Sequence, residues 1–178
     1  ASCKKSEPTP PEGTYTRMTV DINPSVEFMV DDQNKVVSVT ALNDDGSILI
    51  AGEAFVGKTP EEATRMVVSL ATDAGYLVNG EIHVENTDES QKIEISVSGN
   101  SDYAKELAKN VKSDVEKYLK DNKITATVES VKAKTLDEMR KVVIEDGLFT
   151  EDEVKDMTEE QLYKALAAGR IETAQLLT

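Results

Sequence analysis

The sequence predicts an α+β fold: a mainly antiparallel sheet, in the element order β-β-β-α-β-β-α-β, with two helices packed on one face and a C-terminal helical extension. Three observations predict it. Apolar residues alternate in short runs before residue 42 and again over 93–97 and 124–128, the period of a half-buried strand. Two intervening stretches have helical spacing with one apolar face, and beyond about Lys134 only the helical signal continues. Strands that come in hairpins and are joined by amphipathic helices favour an antiparallel sheet with helices on one side.

Residues 1–14 hold three of the five prolines and no core-forming side chain, the composition of a stiff, solvated tether. From Tyr15 onward, Met18, Val20 and Ile22 alternate with Arg17, Thr19 and Asp21, which predicts a first strand. Asn23-Pro24 interrupts it. Val26, Phe28 and Val30 against Ser25, Glu27 and Met29 predict a second strand, and the polar run from Asp31 to Lys35 a turn. Val37, Val39 and Ala41 predict a third strand, closed by a turn at Asn43-Asp44-Asp45-Gly46. Strands two and three should pair as a hairpin.

Thr59-Pro60-Glu61-Glu62 joins an N-cap threonine, a proline at the first helical position and a capping-box glutamate, so a helix starts there. Ala63, Met66, Val67, Leu70 and Ala71 line one face, and Gly75 stops it. Ile82 and Val84, then Ile93, Ile95 and Val97, predict a further hairpin around a polar loop over 86–90. Ala104, Leu107, Val111, Val115 and Leu119 predict a second helix, and Ile124, Ala126 and Val128 a closing strand. Three more capping boxes, at Thr135, Thr150 and Thr158, each open a short helix. Residues 171–178 read as helix with no C-cap, which predicts that the natural chain continues. The tail has too few apolar residues for a core of its own, so it docks on the main domain or forms a small helical module. The expected division is a tether at 1–14, an α+β domain at 15–133 that folds without the tail, and a helical extension at 134–178.

Composition narrows the function classes. Lys and Arg number 20 against 34 Asp and Glu, a formal charge of −14, and such a field repels phosphate backbones, so nucleic acid is not expected as a partner. No stretch reaches the roughly 20 apolar residues that span a bilayer. Cys3 is the only cysteine, which excludes an internal disulfide. Walker, dinucleotide and Gly-x-Ser-x-Gly motifs are absent, so no turnover enzyme, cofactor or metal is expected. His83, the only histidine, lies in a strand pattern and reads as a solvated or edge residue, lacking an identifiable nucleophile or ligand partner. The groups Asp31, Asp32, Asn34 and Asn43, Asp44, Asp45 are oxygen-rich, but neither has calcium-loop spacing, and both read as turns.

The segment from Met18 to Phe28, with Asp21-Ile22-Asn23-Pro24-Ser25 at its centre, and the segment from Asn34 to Gly46 resemble the start of the RsgI-like anti-sigma factor middle domain. Lys58-Thr59-Pro60-Glu61-Glu62-Ala63 resembles the helix start that follows in that family. The resemblance is strong over 15–75 and extends by element order to about 133. It implies a domain outside the membrane, downstream of a cytoplasmic sigma-factor-binding segment and one transmembrane helix, neither of which is in this sequence. It also implies that the Asn-Pro bond of the motif cleaves itself and leaves two associated fragments.

The expectation that follows is an extracytoplasmic sensory or regulatory module of a membrane-tethered bacterial anti-sigma-factor-like protein. It would meet a cell-envelope or extracellular ligand, and a sigma factor only through a segment absent from this chain. The alternative is a cell-surface lipoprotein whose domain is a passive adhesive or ligand-binding scaffold. Ala1-Ser2-Cys3 resembles the end of a lipoprotein signal, which makes Cys3 a candidate lipid anchor, while a transmembrane anchor stays open. The expected self-cleavage junction is Asn23-Pro24. Proline should hold Asn23 in extended geometry. The Asn23 side-chain nitrogen would attack its own main-chain carbonyl and free the Pro24 nitrogen, with Asp21 as an assisting group.

Overall fold

Strands β1 (Thr16–Asp21), β2 (Ser25–Val30) and β3 (Val36–Ala41) form an antiparallel meander in which Met18 pairs with Phe28 and Phe28 with Val39. This computed structural model describes residues 9–79, 91–99 and 101–176. Helices α1 (Asp44–Ile50) and α2 (Pro60–Asp73) follow, then β4 (Val78–Asn79), β5 (Lys92–Val97) and the long helix α3 (Asp102–Asp121). β6 (Ile124–Thr125) and β7 (Thr127–Ser130) lead into helices α4 (Leu136–Glu145), α5 (Glu151–Val154) and α6 (Glu159–Leu176).

The main sheet runs β3-β2-β1-β5-β7, with β1 at its centre. Every pair is antiparallel except β5 with β7, whose parallel pairing needs a crossover, supplied by α3. The predicted closing strand divides, because β6 pairs with β4 in a separate two-stranded sheet and only β7 joins the main one. The predicted strand at Ile82–Val84, with His83, lies outside the described residues.

One turn prediction is corrected. Asn43 caps α1 instead of closing β3, and its side chain accepts the Gly46 N–H while Asp44 and Asp45 occupy the first turn. Carboxylates suit that position because the start of a helix carries positive partial charge. The Asn-Asp-Asp-Gly string satisfies turn and helix-start rules alike, and the apolar Leu49 buried one turn on decides for the helix.

On one face of the sheet Met18, Val20, Phe28, Ile93 and Ile95 pack against the apolar sides of α2 and α3, as the periodicity predicts. The other face carries Arg17, Thr19, Glu27, Met29 and Ser38, residues that alternation alone assigns to solvent. Arg17 and Glu27 are buried nonetheless, at 4% and 0% exposure. Helices α4 and α6 cover them, and Met29 joins Met139, Val143, Leu162 and Leu166 in a second apolar cluster. All three C-terminal capping boxes form, the last of them opening an 18-residue helix. The molecule therefore has three layers, helices on both sides of one mixed sheet.

Candidate functional site

The predicted junction Asn23-Pro24 lies in the short connection between β1 and β2, with Asn23 exposed and Pro24 buried. Asn23 has φ +58, so the extended geometry expected of a residue before proline is not what it adopts. Antiparallel pairing explains it. Asp21 must face Ser25 across the turn, and the three residues between them close only if one enters the left-handed region, which asparagine tolerates better than most residues. The Asp21 Oδ1 accepts the Asn23 backbone N–H at 2.9 Å, and the Ile22 N–H donates to the Pro24 carbonyl at 2.8 Å. The structure thus places Asp21 on the Asn23 main chain.

The side chain of Asn23 meets a residue that sequence reasoning missed. Asn43 Nδ2 donates to Asn23 Oδ1 at 3.2 Å, while Asn43 Oδ1 accepts the N–H groups of Ser25 at 3.1 Å and Gly46 at 2.8 Å. One amide therefore ties the start of α1 to both sides of the Asn23–Pro24 bond. The fit is tight, since a Cβ on Gly46 would lie 2.3 Å from the Ser25 carbonyl oxygen. With its oxygen held by Asn43, the planar Asn23 amide turns its nitrogen the other way. The Asn-Asp-Asp-Gly string was the available signal: an asparagine cap followed by a buried glycine marks a helix start pressed on another backbone.

The model of the anti-sigma factor RsgI-like central domain matches residues 15–170. The chain belongs to this family. Its relatives include the anti-sigma-I factors RsgI7, RsgI4 and RsgI3 of Acetivibrio thermocellus. RsgI7 is 31% identical over 136 residues, which is 75% of this chain and 24% of that protein. RsgI4 is 33% identical over 110 residues, 62% of this chain and 19% of the relative. RsgI3 is 33% identical over 72 residues, 40% of this chain and 11% of the relative. The chain thus spans a quarter or less of these relatives. The family match runs past residue 133 and takes in α4, α5 and most of α6, helices that the resemblance in sequence did not cover.

The RsgI-like domain carries a second polar cluster, buried under α6. Glu27 accepts from Arg17 Nε at 2.7 Å and from Arg170 Nε at 2.9 Å, and Arg170 also reaches Asp146 at 2.9 Å. Burial acts to lower the Arg170 pKa, but Glu27 and Asp146 outweigh it and hold the guanidinium above its ordinary value. Arg17 lies before the Asn23–Pro24 bond and Glu27 after it, so this ion pair joins the two sides of the junction. Neither arginine nor Glu27 was singled out in the sequence, because charges on one face of an alternating strand usually face water.

The other candidates are structural or outside view. Cys3 lies outside the described residues, as does His83. Asp31 Oδ1 accepts the N–H groups of Gln33 and Lys35, the turn role expected of it. The carboxylate of Asp45, in the first turn of α1, acts on the Tyr76 hydroxyl and raises its pKa. Among the described residues no helix is long and apolar enough to cross a membrane.

Proposed function

We propose that this RsgI-like domain is the extracytoplasmic regulatory part of a membrane-tethered anti-sigma factor, and that it cuts its own chain once between Asn23 and Pro24. The observation that carries the cleavage is the conformation of Asn23. A left-handed residue before proline stores strain of roughly 1–3 kcal/mol beside the scissile bond, and breaking that bond releases it, which favours attack. The Asn23 Nδ2 forms a bond to its own main-chain carbon, the carbon–nitrogen bond to Pro24 breaks, and the amide proton passes to the Pro24 nitrogen. The products are a C-terminal succinimide on Asn23, which water later opens, and a free amino terminus at Pro24.

The regulatory role rests on the relatives, which are named anti-sigma-I factors. Contact with a sigma factor is assigned to parts of those proteins that this chain does not span. Membrane attachment is assigned to the region before residue 15, through a lipid on Cys3 or a spanning helix upstream, with the envelope side presenting the domain to its ligand. Intact mass spectrometry after mild denaturation tests the cleavage. Two fragment masses that sum to the full chain, with one water added once the succinimide has opened, and a single mass for Asn23→Ala, are expected; one full-length mass in aged wild-type protein rejects it.

A further inference from the structure

We infer that Asn43 is the positioning residue of the Asn23–Pro24 junction, holding the Asn23 side-chain oxygen while charge develops on it during cleavage. The inference rests on the self-cleavage reading above. An amide nitrogen is a poor nucleophile because its lone pair is delocalised onto its oxygen. Attack becomes feasible as the nitrogen loses a proton, and the negative charge that this leaves is shared with the side-chain oxygen. A donor already aimed at that oxygen stabilises the charge without reorganising. Asn43 Nδ2, at 3.2 Å from Asn23 Oδ1, is such a donor.

The rest of the Asn43 amide explains why the donor stays in place. Its oxygen accepts from Ser25 N–H and Gly46 N–H, so the plane of the amide is fixed from two directions and the nitrogen is left to face Asn23. Ser25 is also held by its carbonyl, which accepts the Leu42 N–H at 2.9 Å. The α1 start is therefore seated on the leaving side of the bond as well as the attacking side. Asn43 touches the reacting side chain by its donor alone, and its acceptor serves the scaffold.

That division of labour makes the two roles separable. Asn43→Asp keeps the two acceptor bonds and a good helix cap, but presents no donor to Asn23 while its carboxyl is ionised. Asn43→Ser keeps a cap, and its shorter side chain holds the hydroxyl back from Asn23 at every pH. The experiment follows cleavage in freshly translated, full-length chains by denaturing mass spectrometry, with rates normalised to the folded fraction from near-ultraviolet circular dichroism. At neutral pH both variants should cleave at least about tenfold more slowly than wild type, the smaller end of what losing one donor to a developing anion costs. Relative to wild type, Asn43→Asp should recover as pH falls and its carboxyl gains a proton to donate, while Asn43→Ser should not. A slowing of less than tenfold in folded variants, or no difference between their pH profiles, overturns the assignment and leaves the cleavage reading standing. An uncleaved wild-type chain overturns both.

Discussion

Arg170 reaches back over 143 positions to Glu27, its Nε donating to Oε1 at 2.9 Å and its Nη2 to Oε2 at 3.2 Å. The last helix is thereby bonded to the second strand at a carboxylate with no exposure to solvent. Arg17 occupies the same carboxylate from the first strand.

Glu27→Gln should therefore be far more damaging than a surface change. It removes the one anion between two buried guanidinium groups, and breaking a buried pair on one side costs about 3–5 kcal/mol. Urea unfolding should show a fall of that size, with Arg170→Met milder because Arg17 still neutralises Glu27. Equal stability of Glu27→Gln and wild type would mean that the cluster is expendable.

Removal of residues after 133 should abolish cooperative unfolding. The sequence suggests that 15–133 closes its core unaided, and the cluster under α2 and α3 is built from residues within that span. The opposite side would then expose Met29 and take Arg170 away from Glu27. Chain truncated at 133 is expected to bind hydrophobic dyes and to melt without a sharp transition; a sharp transition near the wild-type midpoint would show the helices to be an accessory.

These two cases mark what a sequence shows and what it hides. Period-two runs located β1, β2, β3 and β5, and the Thr-Pro-Glu-Glu start located α2, because each signal is local. The second layer was not legible in the strands. Arg17 and Glu27 look solvent-facing until Arg170 arrives from the far end of the chain, and no local pattern encodes that meeting. At the proposed junction, Asn23, Pro24 and Asp21 were named from their motif alone, whereas Asn43 was hidden in a string that turn rules explain equally well. The helix start could be recognised only by weighing Leu49 beyond it.

Gly46→Ala tests the seating of α1. Its methyl group would meet the Ser25 carbonyl oxygen at 2.3 Å, so helix and strand must separate. Overpacking of this kind costs about 1–3 kcal/mol. The expected signs are a lower unfolding midpoint and amide shifts at Ser25 and Asn23 in nuclear magnetic resonance spectra; unchanged shifts there would show that the contact yields without strain.

Acid should loosen the starts of α4 and α5. The Glu138 and Glu153 carboxylates accept the backbone N–H groups of Thr135 and Thr150, whose hydroxyl oxygens accept the glutamate N–H groups in return, and contact with these threonines holds both carboxyl groups below their ordinary value of 4.5. A lowered folded value means that the contribution is present above 4.5 and lost as pH falls through the lowered values. Carbon-detected titration should place both midpoints below 4.5, and Glu138→Gln should keep the box while removing that residue's share of the acid dependence.

The place of β1 in the middle of the sheet gives the proposed cut a mechanical meaning. β1 pairs at six positions with β2 and at four with β5, so after cleavage the N-terminal piece is an inner strand gripped along both edges. Tension applied along that strand loads both ladders in shear, where many bonds must yield together, instead of peeling them one by one. Once β1 slides out, β2 and β5 are left as two facing open edges with the Met18 and Val20 positions of the core vacant. Among the described residues no other strand is placed to close that gap. Such a joint works as a fuse: it holds silently up to a threshold, parts once, and does not reset.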